Sequence, residues 1–127
     1  MQIVDVQQNT PEWFESRAGI VTASSASKLL SKGQGKTRLA YMYQLIGEVM
    51  TGEPIQVWTG NAHTERGHED EPIARALYQK RIGRETQQCG FILNHEDIGW
   101  AGYSPDDLVG DDGLLEIKSR LAHIQAE

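Results

Sequence analysis

The sequence predicts a mixed α/β fold of the α+β type, with N-terminal helices packed on a small, mostly antiparallel sheet. Three observations predict it. Apolar residues recur at helical spacing up to about residue 80. After Gly83 the period shortens to that of strands, with glycine-rich turns between them. The chain has 127 residues, 39% hydrophobic and 24% charged, which suits one globular domain and is too apolar for disorder.

Thr10-Pro11-Glu12 is a helix start: a hydroxyl cap, proline at the first helical position and an acid in the first turn. This helix is expected to run through Trp13, Phe14 and Arg17 and to stop at Gly19. Ile20-Val21-Thr22 reads as a link, and Ser24 or Ser25 as the cap of a short helix through Leu30. After the loop Ser31–Gly35, an amphipathic helix is predicted from Thr37 to Met50, burying Leu39, Met42, Tyr43, Ile46, Val49 and Met50. A longer helix follows from Asn61 to Lys80. Pro72 within it predicts a kink or a restart, and Ile73, Leu77, Ala74 and Tyr78 are expected to supply its buried side.

Strands are predicted at Thr86–Leu93 and Ile98–Tyr103, then a hairpin of Leu108-Val109 and Leu114–Lys118 around Gly110–Gly113. Nine residues remain after that strand, enough for one helical turn between Ser119 and Gln125. No window approaches the roughly 20 apolar residues of a membrane span. The N-terminus lacks the basic start and apolar run of a secretory signal. A single cysteine, Cys89, forms neither an internal disulfide nor a cysteine-based zinc site and points to a reducing cytoplasm.

The net charge of −6 is unevenly spread. Between Arg17 and Gly47 lie five bases and no acid; between Asp97 and Glu116 lie six carboxylates and no base. Such a division suits a metal-dependent enzyme acting on nucleic acid, and equally two solvated faces of opposite sign. Gly33-Gln34-Gly35-Lys36-Thr37 is not a phosphate-binding loop, because Leu30 stands where that motif needs glycine. His68-Glu69 opens like a zinc-protease helix, but Pro72 occupies the second histidine position.

The strongest chemical signal is Ser104-Pro105-Asp106 with Leu115-Glu116-Ile117-Lys118. On a strand, Glu116 and Lys118 point to one face. A three-residue loop of Asp111, Asp112 and a left-handed Gly113 would set Asp106 opposite Lys118 and diagonal to Glu116, at roughly 7 Å. A two-residue turn would put the aspartate on the other side. Clustered carboxylates repel one another unless a cation neutralises them. A divalent ion there lowers the pKa of a water and stabilises a phosphoryl oxygen, while a lysine offsets negative charge. The bland reading is a surface hairpin with a solvated acidic turn.

Three blocks, in order, resemble the phage lambda exonuclease and YqaJ-type viral recombinase family, a branch of the PD-(D/E)xK nucleases. They are Thr10-Pro11-Glu12-Trp13 through Ser16-Arg17-Ala18-Gly19-Ile20-Val21-Thr22-Ala23-Ser24, then Arg66-Gly67-His68-Glu69-Asp70-Glu71-Pro72-Ile73-Ala74-Arg75, then Ser104-Pro105-Asp106 with Leu115–Lys118. The resemblance implies a restriction-endonuclease-like core and a single nuclease domain over residues 1–127, truncated relative to the family, its C-terminal part missing. It implies a Mg²⁺-dependent exodeoxyribonuclease, with Mn²⁺ as substitute, digesting linear double-stranded DNA from 5′ to 3′ in phage-type recombination. The alternative is a non-catalytic DNA-end-binding or oligomerisation fragment of such a nuclease.

Residue by residue, the resemblance makes Asp106 and Glu116 metal ligands, with the Ile117 carbonyl as a third. Lys118 positions the attacking water, and Glu71 completes the acidic site. Arg17 and Ser24 hold the 5′-phosphate of a DNA end. Without it, Arg17 reads as a surface residue, Ser24 as a helix cap and Glu71 as a helix-terminus acid. The implied partners are double-stranded DNA ends, a single-strand annealing protein and two further copies in a homotrimer. The implied location is the cytoplasm of a bacterial host, encoded by phage or prophage. One departure stands out: Asp107 occupies the place of a family glycine, where it either tightens metal binding or spoils the turn.

Overall fold

The computed structural model describes residues 1–32, 35–55, 62–95 and 97–126, which fall into two compact units. One unit comprises Met1–Val57 and Cys89–Pro105; the other comprises Trp58–Gln88 and Asp106–Glu127.

The first unit is built on a four-stranded sheet in the order β1-β3-β4-β2. Its strands are β1 (Gln2–Val4), β2 (Val21–Thr22), β3 (Phe91–His95) and β4 (Ile98–Tyr103). β1 pairs antiparallel with β3, and β3 antiparallel with β4. β2 runs parallel to β4, with Val21 opposite Ala101 and Thr22 opposite Gly102. The sheet is thus mixed but mostly antiparallel.

Helix α1 (Pro11–Ser16) starts as its residues dictate: the Thr10 hydroxyl accepts from the Trp13 amide, and proline occupies the first turn. Trp13 is buried and pins the helix to the sheet end, its indole N–H donating to the Gly90 carbonyl at 2.9 Å and to Ser104 Oγ at 3.2 Å. A 3₁₀ turn (Ala23–Ser25) leads into the short α2 (Ala26–Leu29), which packs on α3 (Lys36–Thr51). Neither Ser24 nor Ser25 makes a capping bond there.

Several expectations are corrected in this unit. The Ile20-Val21-Thr22 link contains a true edge strand, because a short β-branched pair finds open ladder positions on β4. Gln2–Val4 is a strand that its short pattern did not announce. The stripe Leu39, Met42, Tyr43, Ile46, Val49 and Met50 is exposed. Helix α3 instead turns Tyr41, Gln44, Leu45 and Glu48 inward, a set with the same helical spacing. Glu48 carries this face: its carboxylate accepts from the Gly19 amide at 2.9 Å, the Ile55 amide at 3.3 Å and Gln44 at 3.1 Å. A buried charge held by three donors fixes the rotation of the helix where apolar content alone predicted another face.

The second unit holds the long α4 (Ala62–Ile82), the hairpin strands β5 (Asp107–Val109) and β6 (Gly113–Leu115), and the short α5 (Ala122–Gln125). α4 continues through Pro72 without a restart. Ile73 and Leu77 are exposed, whereas Ala74 and Tyr78 are partly buried as expected. The inward stripe of α4 is polar, carrying Asp70, Glu71, Arg75 and Gln79 among others. The expected strand Thr86–Leu93 is divided. Gln87 exchanges both backbone bonds with Leu108 of β5, at 2.9 and 2.7 Å, and the segment from Phe91 onward belongs to β3. The hairpin therefore forms its own two-stranded sheet rather than extending a meander.

Phe91 has no exposed surface, and its ring lies over Gly102. A methyl group at residue 102 would sit 2.2 Å from that ring. Gly102→Ala is therefore expected to cost about 1–3 kcal/mol through overpacking. Urea denaturation would show a lower midpoint with an unchanged slope.

Candidate active site

The hairpin brings the acidic residues of the second unit into line. Val109 pairs with Gly113, Leu108 with Leu114 and Asp107 with Leu115, leaving Gly110, Asp111 and Asp112 as a three-residue loop. Gly110 takes the left-handed conformation (φ +62°) that was expected of Gly113. The register thus differs by two residues from the expected one, and Asp106 stands next in line toward Glu116 rather than toward Lys118. A shift of two keeps every side chain on its face. The Asp106 amide donates to the Leu115 carbonyl at 3.1 Å.

Beyond this point the ladder stops. The Ile117 amide donates to the Asp106 carboxylate instead of to a backbone carbonyl. Glu116 and Lys118 consequently lie just past the end of β6, not within it as predicted. They still share a side, with the Lys118 ammonium paired to Glu116 Oε1.

The Asp106 carboxyl is a group on which the charges of this unit act clearly. Burial pushes the Asp106 carboxyl above its ordinary value; the Ile117 amide and the Lys118 charge pull it down; the carboxylates of Glu116 and Glu71 push it up. Asp106 thus feels both other carboxylates and the lysine. Repulsion of one partly buried carboxyl by two further acids is the condition a divalent cation relieves. The donor set, oxygen only, suits a hard ion such as Mg²⁺. In this arrangement Glu71 is turned to Arg75 and Glu116 to Lys118, and among the described residues no three acidic, histidine or cysteine side chains are set around a common point.

Around Glu71 lies a network that the sequence did not disclose. Arg75 Nη2 donates to Glu71 Oε1 at 2.6 Å, and Arg75 Nε lies 2.7 and 2.8 Å from the two oxygens of the fully buried Asp107. Thr86 Oγ1 donates to Asp107 as well, and Gln79 Nε2 donates to Thr86 at 2.8 Å. Burial by itself lowers the Arg75 pKa, but the hydrogen bonds and charges of Glu71 and Asp107 outweigh it and hold the guanidinium above its ordinary value. One turn away, Ser119 Oγ donates to Asp70 at 2.6 Å and accepts from Arg66 Nε at 3.2 Å. Glu71 and Arg75 at i and i+4 are a pair visible in sequence; Asp107 as the partner of Arg75, and Ser119 as that of Asp70, are not.

Arg17 and Ser24 belong to the first unit. The guanidinium stacks 3.9 Å above the Trp13 ring centroid and 5.8 Å from that of Phe91. Arg17 Nη2 reaches Ser24 Oγ at 3.4 Å, and Ser24 Oγ lies 3.2 Å from Thr22 Oγ1. Burial lowers the Arg17 pKa, opposed by Tyr41 and Glu48. Among the described residues, Arg17 Nε is the buried side-chain polar atom with no hydrogen-bond partner. Arg17 is thus a desolvated cation beside a hydroxyl pair, with one donor unspent.

Residues 12–127 match the model of the YqaJ-like viral recombinase domain. The chain belongs to that family. Two crystal structures resemble this YqaJ-like domain. One is an alkaline exonuclease, LHK-Exo, from Laribacter hongkongensis, 38% identical with a TM-score of 0.73. The other is LHK-Exo in complex with dAMP, 40% identical with a TM-score of 0.75. Each match covers 92% of this YqaJ-like chain and 57% of the exonuclease chain, so the chain spans a little over half the length of those structures. Comparison with curated proteins yields no match.

Because the Asp106 carboxyl is raised in the folded state, the native protein binds more protons than the unfolded chain between the two pKa values. Stability conferred by its protonation is present at low pH and is lost as pH rises through that window. Asp106→Asn is therefore expected to raise the melting temperature at neutral pH without divalent ions. The gain should shrink as pH falls into the carboxylate range, as thermal melts at stepped pH would show.

Proposed function

We propose that this chain carries the active site of a Mg²⁺-dependent exodeoxyribonuclease that digests linear double-stranded DNA from 5′ to 3′ and leaves 5′-mononucleotides. The carrying observation is the turn at the end of the hairpin, where the Asp106 carboxylate accepts the Ile117 amide and Glu116 and Lys118, paired to each other, flank that residue. Family membership and the fold shared with an alkaline exonuclease support the reaction class. The dAMP in one of those structures is of the product class that stepwise digestion releases. We read residues 1–127 as one nuclease domain, working in phage-type recombination in the bacterial cytoplasm, alongside a single-strand annealing protein and as a homotrimer. Among the described residues no helix is long and apolar enough to cross a membrane.

Asp106, Glu116 and Glu71, with the Ile117 carbonyl, are the oxygen donors that would hold Mg²⁺, or Mn²⁺ in its place. When bound, the ion lowers the pKa of a water and stabilises charge on the phosphoryl oxygen. The residues' own work is positional. The Asp106 carboxylate fixes the backbone at Ile117, which sets Glu116 and Lys118 on one side. The Lys118 ammonium, held at Glu116, orients the attacking water and offsets negative charge at the phosphate. Arg17, stacked on Trp13, offers its terminal Nη2 to the 5′-phosphate, with Ser24 beside it as the hydroxyl donor.

The second reading, a non-catalytic end-binding fragment, is favoured by the pairing of Glu71 and Glu116 with internal cations. Incubation with linear duplex DNA in Mg²⁺ separates the two. Release of mononucleotides, with circular DNA left intact, is the expected result. Metal binding without any cleavage would establish the fragment instead. Lys118→Ala should reduce the rate by roughly 10²–10³-fold while metal binding persists. Arg17→Ala should remove any preference for 5′-phosphorylated over 5′-hydroxyl ends, read as a ratio of initial rates.

A further inference from the structure

We propose that Asp107 and Arg75 are positioning residues that hold the Glu71 carboxylate ready for the divalent ion, so that the aspartate standing in place of the expected glycine tunes cation affinity. The inference rests on the nuclease reading above.

Asp107 is the first residue of β5, directly after Asp106, and is not among the charges that Asp106 feels. Its side chain has no exposed surface and accepts from Arg75 Nε through both oxygens and from Thr86 Oγ1. A buried carboxylate is tolerated only when paired and hydrogen-bonded, and this one is both. The consequence passes to Arg75, whose side chain is itself mostly buried. With Nε fixed on Asp107, the planar guanidinium directs Nη2 at Glu71 Oε1. Among the described residues Glu71 Oε2 accepts no hydrogen bond, which leaves one oxygen to serve as a ligand. Held at one end by a buried charge, the Glu71 side chain loses little rotamer freedom when an ion arrives. Gln79 and Thr86 complete the support from behind.

A lysine at position 75 lacks the fork and reaches only one of the two carboxylates. An asparagine at position 107 keeps the shape but not the charge that anchors the arginine. Partners of this kind, once removed, weaken metal affinity by about 10–100-fold.

The test measures Mn²⁺ affinity of the whole chain by titration calorimetry without DNA, beside the Mg²⁺ midpoint for DNA digestion. Asp107→Asn and Arg75→Lys should each weaken Mn²⁺ binding by about tenfold or more. In a Glu71→Gln background the same substitutions should change affinity less than twofold, because their path to the ion runs through Glu71. Should Asp107→Asn not fold, Arg75→Lys, which keeps a cation beside Asp107, carries the cycle alone. Equal effects in both backgrounds would overturn the proposal, since a merely structural role does not depend on Glu71. Binding abolished by Asp106→Asn but unmoved by Asp107→Asn and Arg75→Lys would overturn this inference alone. Absence of Mn²⁺ binding by the parent chain would overturn the nuclease reading, and this inference with it.

Discussion

The carboxylate of Asp106 accepts the Ile117 amide and so takes the place of the next rung in the β5–β6 ladder. That bond ends the strand and frees Glu116 and Lys118 from the pleat. The two side chains then pair with each other, and Asp106 feels the charge of both. A residue that both terminates the sheet and repels its acidic neighbours has an energetic cost, offset by the hydrogen bond and by Lys118. The backbone needs Asp106 where it is, and the repulsion it feels from Glu116 and Glu71 is left for positive charge to relieve.

The same division of labour recurs on α4. Its inward stripe is largely polar, so ion pairs and hydrogen bonds hold the helix alongside Ala74 and Tyr78. Asp70 is tied to Ser119, next to Lys118, and Arg75 to Asp107, next to Asp106. Glu71 lies between these two ties. Each tie reaches from the helix to a residue adjacent in sequence to a candidate site residue. The helix and the hairpin therefore share their fixed points.

Much of this was legible beforehand. Capping chemistry placed α1, since Thr10 and Pro11 act locally. Alternation placed β4, and the Asp106…Glu116-x-Lys118 spacing survived a register two residues off because the shift was even. What escaped was decided by long-range partners. The buried faces of α3 and α4 follow Glu48 and Arg75, whose carboxylate and guanidinium found donors and acceptors far along the chain, and hydropathy cannot weigh such bonds. β2 needed β4 to become a strand, and Gln87 needed Leu108. The stacking of Arg17 on Trp13 was implicit in their i, i+4 spacing, but the second ring near it, Phe91, lies 74 positions further along the sequence.

The outward stripe of α3, from Leu39 to Met50, has a practical side. Six apolar residues in contact with water on one helix face make a surface that salting-out agents strengthen. Opposing it is the excess of negative charge, which fades near the isoelectric point of about 5.2. Colloidal behaviour should therefore be governed by the balance of these two. Dilute, mildly alkaline buffers of low sulfate content keep molecules apart, while acidified or sulfate-rich ones drive them out of solution.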